Sequence, residues 1–188
     1  MVRHRRKGAN MKDLDKNVRK AQQGNSEIFI QLVKQMESSL YCTARAILKK
    51  DEDCADALQE TILKAYRSLS TLREPHFFKT WLMRILINEC NAILRKRAQT
   101  ISVAEIPPEA SISHDHDYMD LREAVDGLEE QQRLVVVLHY FQDMPLKQVA
   151  DILGITEGAV KTRLHRARNT LHTMLNMNQE GELHFGKV

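Results

Sequence analysis

Residues 145–171, PLKQVADILGITEGAVKTRLHRARNTL, hold two stretches of helical periodicity that meet at a single glycine. Leu146, Val149, Ala150 and Leu153 fall on one face of the first stretch. In the second, Val160, Leu164, Ala167 and Leu171 recur at spacings of four, three and four. Gly154 between them offers the left-handed turn conformation that other residues adopt at a cost of about 1–2 kcal/mol. Thr156 follows as the expected N-cap, although Ala159 stands where a capping box would place Glu or Gln. Two short helices about a tight turn form a helix-turn-helix.

The rest of the chain is just as helical in pattern. Only four prolines and seven glycines occur in 188 residues, and 5% are aromatic, which leaves little material for the turns and strands of a β fold. A first periodic block runs from Leu14 to Arg97. Leu14, Val18 and Ala21 share a face, Ser26 is the expected N-cap of a helix carrying Phe29, Ile30, Val33 and Met36, and Asp51 that of the next. In that next helix Cys54, Leu58, Ile62, Ala65, Tyr66 and Leu69 are expected inside. In the last helix of the block, about Phe77 to Arg97, they are Phe78, Trp81, Leu82, Ile85 and Ala92.

Between 98 and 120 the pattern stops: Pro107 and Pro108 sit among Glu105, Glu109, Asp115, Asp117 and Asp120, with no Lys or Arg. Such a segment reads as a solvated linker. Helical periodicity then returns with Leu121, Val125, Leu128, Leu134, Val135 and Leu138, interrupted at Gly127. The expected fold is all-α. Its parts are a basic arm over 1–10, a helical domain over 11–97, a flexible acidic linker over 98–119, the helix-turn-helix domain over 120–177 and a tail over 178–188.

The formal net charge of +3 says little; its distribution says more. The second helix of the helix-turn-helix turns Gly158, Thr162, His165, Arg166 and Asn169 away from its apolar face, with Lys161 and Arg163 on the edges. A helix of this kind fits the DNA major groove. Thr162, His165 and Arg166 are the expected base readers, and Lys161, Arg163 and Arg168 the expected phosphate contacts. Two other faces are polar. One is the acidic stripe Asp53, Asp56 and Glu60, with Gln59 beside it; the other is Arg84, Asn88, Asn91 and Arg95, ending in Arg95-Lys96-Arg97.

DCADALQETILKAYRSL, followed by FFKTWLMRILINECNAILRKR, resembles region 2 of the extracytoplasmic-function sigma factors, the short branch of the sigma-70 family. LEEQQRLVVVLHYFQDMPLKQVADILGITEGAVKTRLHRARNTL resembles their region 4, and the likeness spans Leu14 to Met177 in the family's order. It implies a promoter-selecting subunit of RNA polymerase that starts transcription of a stress or envelope-response regulon. By the same resemblance Asp53, Asp56, Gln59 and Glu60 meet the coiled coil of the polymerase β′ subunit. Arg84, Asn88, Asn91 and Arg95, with the Ser70–His76 loop, open and read the −10 element, the loop holding a flipped base. Region 4 reads the −35 element and engages the β flap. The branch further implies a cytoplasmic protein and a cognate anti-sigma factor, often membrane-anchored.

Two rival readings are weaker. A dimeric helix-turn-helix regulator acting without polymerase needs a dimer interface or ligand pocket in the first block, where two helices instead carry polar stripes. An enzyme or metal site would rely on His114 and His116, two apart in a linker with no third well-placed ligand. No catalytic grouping, cofactor, metal or small-molecule substrate is expected. Cys42, Cys54 and Cys90 form no Cys-x-x-Cys pair and are expected as buried thiols. No apolar run is long enough to span a membrane, and no apolar stretch follows the basic start.

Overall fold

The computed structural model describes residues 3–101 and 121–183; His114, His116 and most of the expected linker lie outside them. Among the described residues all regular structure is helical, as expected. The chain divides into two compact units, Met1–Leu94 and Arg95–Val188.

In the first unit α1 (Arg3–Gln22) takes in most of the basic start. Gly24, at φ +98°, turns the chain, and α2 (Ser26–Ile47) begins at once. Its N-cap is Asn25, whose carboxamide oxygen accepts the Ile28 amide at 3.0 Å. Ser26, the expected cap, is therefore the first helical residue: two competent caps stand in tandem, and the first is used.

Helix α3 (Asp51–Ser68) starts one residue earlier than expected, with Lys50 at the cap position. Asp51 lies in the first turn, where the helix dipole favours a carboxylate. There it accepts the Tyr41 hydroxyl at 3.0 Å and faces Arg45 at 3.4 Å, tying α2 to α3. A 3₁₀ turn at Leu69–Thr71 and another at Pro75–Phe77 lead into α4 (Phe78–Ile101), which continues four residues past the expected end.

The buried faces of α3 and α4 differ from the expected ones. In α3 the interior line is Cys54, Ala57, Thr61 and Ala65, continued by Leu69 just past its end; Leu58 and Ile62 are half-buried and Tyr66 is 51% exposed. Small side chains on the inner line let neighbouring helices approach closely. The larger Leu58 and Ile62 instead border a cavity of about 260 Å³ shared with Phe29, Ile30 and Val33 of α2. Tyr66 lies over Phe29, ring centroids 5.2 Å apart. In α4 Phe78, Leu82, Met83, Leu86, Ile87 and Cys90 are buried, whereas Trp81, Ile85 and Ala92 are only half-buried. Lys64 of α3 pairs with Glu89 of α4 at 2.6 Å.

Cys54 and Cys90 are buried as expected, and Cys42 is half-buried. Burial pushes the Cys90 thiol up to about 12, so it stays protonated and unreactive.

The second unit holds α5 (Leu121–Asp126), α6 (Glu130–Val136), a π-helical turn at Val137–Phe141, α7 (Leu146–Leu153) and α8 (Glu157–Leu183). Gly127 breaks α5 from α6 as expected. The Arg133 guanidinium, buried, closes that break by donating to the Asp126 and Leu128 carbonyls at 2.6 and 3.0 Å. Val125, Leu128, Leu134, Val135 and Leu138 form the core with Val149, Ala150, Ile152, Val160, Leu164 and Ala167. Leu121, expected inside, is exposed at the start of a six-residue helix; Leu146, Leu153 and Leu171 are half-buried.

Gly154 adopts φ +65°, and its amide closes α7 by donating to the Ala150 carbonyl. No atom lies within 4 Å of where a β-carbon would stand, so conformation alone decides a substitution here. Gly154→Ala is expected to destabilise the second unit by about 1–2 kcal/mol without displacing either helix. Thermal unfolding checks the magnitude, and a far-UV helix signal equal to wild type checks the fold.

Candidate functional site

Three exposed faces emerge. On α3, burial of Cys54, Ala57, Thr61 and Ala65 forces Asp56, Gln59 and Glu60 outward. All three are exposed, and no ion pair neutralises Asp56 or Glu60 among the described residues. Asp53 differs: it is half-buried, with Oδ2 shielded from solvent, so it presents less of its charge than the sequence suggests. Lys64, one turn beyond Glu60, turns to Glu89 at 2.6 Å and not to Glu60. Leu63, 41% exposed, adds an apolar contact within one turn of Glu60.

The second face combines α4 with the loop before it. Arg84 and Asn88 are exposed and Asn91 is half-buried along the part of α4 in the first unit, and Arg95, the first residue of the second unit, is exposed. The loop is anchored by buried Leu69, Leu72 and Pro75, while Arg73, Glu74, His76 and Phe77 face solvent. The His76 and Phe77 rings lie 4.0 Å apart at 45°, and His76 Nδ1 is 3.7 Å from a Glu74 carboxylate oxygen. An aromatic ring 42% exposed beside a second ring is a ready stacking surface. Sequence reasoning missed this pair. Trp81, expected inside from the sequence, is half-buried against Phe78, centroids 6.0 Å apart. The only signal was an aromatic doublet just after a proline.

The third face belongs to α8. Thr156 caps the helix as expected, accepting the Ala159 amide at 3.1 Å. With Val160, Leu164 and Ala167 buried, Lys161, Thr162, His165, Arg166 and Arg168 stand exposed, and Arg163 is half-buried at the edge. The Thr162 hydroxyl donates to the Gly158 carbonyl at 3.0 Å, leaving its oxygen lone pairs outward as acceptors. Asn169 Nδ2 lies 3.3 Å from His165 Nε2. Arg166 makes no ion pair among the described residues, so its guanidinium is available to a ligand. These are the ingredients of a helix that presents donors and acceptors to base edges, flanked by cations for phosphates.

Among the described residues no three His, Cys, Asp or Glu side chains converge on a metal site, and no helix is long and apolar enough to cross a membrane.

The sigma-70 region 2 family matches residues 32–100, and the family described as sigma-70, region 4, matches residues 118–171. The chain is 30% identical over 160 residues to RNA polymerase sigma factor SigV of Bacillus subtilis (strain 168), covering 83% of this chain and 96% of that protein. It is 31% identical over 161 residues to ECF RNA polymerase sigma factor SigM of Mycobacterium tuberculosis (strain ATCC 25618 / H37Rv), covering 84% and 82%. Among solved structures it is similar to the sigma factor RpoE in complex with the anti-sigma factor NepR from Bartonella quintana. That likeness has TM-score 0.66 and 25% identity, over 79% of this chain and 96% of the other. It is also similar to CnrH in complex with the cytosolic domain of CnrY, with TM-score 0.65 and 26% identity over 87% and 97%.

Proposed function

The chain belongs to the extracytoplasmic-function branch of the sigma-70 family, and on that premise we propose that its three exposed faces divide the work of promoter recognition. It directs core RNA polymerase to promoters and starts transcription. As an initiation factor it contributes binding and strand separation, while RNA synthesis belongs to the core enzyme.

Asp56, Gln59 and Glu60, with the partly shielded Asp53, dock on the β′ coiled coil through charge. Arg84, Asn88, Asn91 and Arg95 contact the melted −10 strand. The loop between Leu69 and Phe78 captures an unpaired base, with Phe77 and His76 as its stacking surface. In the second unit Thr162, His165 and Arg166 read the −35 element, Lys161, Arg163 and Arg168 hold its phosphates, and the unit rests on the β flap. The protein works where core polymerase is, in the cytoplasm. An anti-sigma factor is a further partner, as for the relative solved with NepR.

The observation that carries this reading is the presence on one chain, in family order, of regions 2 and 4 on separate helical units, the second ending in an exposed basic helix face. The dimeric regulator is not favoured, because the first unit matches a sigma region rather than a ligand-sensing domain. Gel filtration with DNA binding distinguishes the two. A monomer that binds promoter duplex weakly alone and tightly once core polymerase is added is the expected result; a dimer with tight, sequence-specific binding by itself contradicts it.

A further inference from the structure

Gln22 is the last residue of α1, and its half-buried side chain reaches across 47 and 50 residues of sequence. Its Nε2 donates to the Leu69 carbonyl at 3.0 Å and to the Leu72 carbonyl at 2.7 Å. These two carbonyls bracket the 3₁₀ turn through which the chain leaves α3, and the Leu72 amide also donates to Leu69 at 3.2 Å. Val18 and Ala21 are buried on the same end of α1, and α1 also packs against the second 3₁₀ turn at Pro75–Phe77. There the Phe77 amide donates to the Glu74 carbonyl at 3.0 Å. The loop is therefore held at both ends, and its exposed members are left no choice but to face outward.

We propose that Gln22 is a positioning residue for base capture: through Leu69 and Leu72 it pre-sets the loop that presents the His76–Phe77 rings to an unpaired base. The inference rests on the loop's reading role proposed above. The physical reason is preorganisation. A surface fixed before contact spends none of its binding free energy on ordering the loop, whereas a loose one must. An amide suits the position because its –NH₂ group can supply a donor to each carbonyl at once. Methionine, nearly isosteric, fills the same space without a donor, and asparagine is too short to reach.

The test uses holoenzyme assembled from the full chain and core polymerase. Its probe is a single-stranded oligonucleotide copying the melted strand of a promoter selected with that holoenzyme, either intact or abasic at each position in turn. The readout is the ratio of affinities for intact over abasic at the most sensitive position. Partial unfolding lowers both affinities alike and cancels from the ratio, so a merely structural role would not move it. For Gln22→Met and Gln22→Asn the ratio is expected to fall about fivefold or more, with core binding unchanged. A wild-type ratio in both variants overturns the inference while leaving the loop's reading role standing. No discrimination by the wild type removes that role and the inference together. Hydrogen exchange on the unaltered chain needs no variant: the Leu72 and Phe77 amides are expected to be protected, and exchange at unstructured-chain rates overturns the proposal.

Discussion

Asp56→Arg is expected to weaken association with core RNA polymerase by about 30-fold or more, because it sets a cation against a surface that welcomed an anion, a change of roughly 2 kcal/mol. Asp56 is exposed in the second turn of α3 and makes no ion pair among the described residues, so its replacement removes nothing from the fold. Stability should stay within about 0.5 kcal/mol of wild type, as for ordinary surface changes. The loss should shrink as salt rises, since exposed charges separated by more than about 8–10 Å are screened at physiological ionic strength. A titration of labelled protein into core polymerase at two salt concentrations measures both effects. Undiminished binding at low salt would remove α3 from the interface.

The second large effect is expected at the other end of the chain. Arg166→Ala deletes an exposed guanidinium that no ion pair engages, from a helix whose opposite side is locked by Val160, Leu164 and Ala167. A bidentate arginine on guanine contributes about 1–3 kcal/mol of discrimination, so the variant should bind a cognate −35 duplex about 5- to 150-fold less tightly. Base preference should flatten at one position, and core binding should not change. Lys161→Ala offers the contrast. A phosphate contact carries no sequence information, so its loss should weaken all sequences alike and lower the salt slope by about one. If Arg166→Ala behaves as Lys161→Ala is expected to, Arg166 touches the backbone and not a base.

The legibility of these faces in the sequence depended on how local their determinants are. Gly154 and Thr156 act within one turn: a left-handed cap and a hydroxyl accepting the Ala159 amide need no distant partner. The exposed basic face of α8 followed directly, because Val160, Leu164 and Ala167 leave one side for the core and one for solvent. The inner face of α3 was harder to read. Hydrophobicity ranks Leu58, Ile62 and Tyr66 above Ala57 and Thr61, yet close helix packing selected the smaller line and left the larger side chains around a cavity. Thr61 is buried at no cost in unmet hydrogen bonding, since its hydroxyl donates to the Ala57 carbonyl at 2.6 Å. In α4 apolar residues nearly encircle the helix, so periodicity could not choose between Trp81 or Ile85 and Met83 or Leu86.

Two features of the face formed by α4 and the loop before it were not legible at all. An aromatic doublet looks the same in sequence whether a ring is buried, as Phe78 is, or exposed, as Phe77 is. The bond from Gln22 to Leu72 spans 50 residues and follows from tertiary packing alone. Local rules describe caps and faces; they do not describe which distant carbonyl a side chain will find.

The most direct test of the account is run-off transcription by purified core polymerase, with and without this protein, on a library of bacterial promoter fragments. The account predicts that core alone starts at no defined position, and that adding the protein yields transcripts from discrete starts preceded by shared −35 and −10 sequences. Transcripts no different with and without the protein, although core is active with another sigma factor, would contradict it.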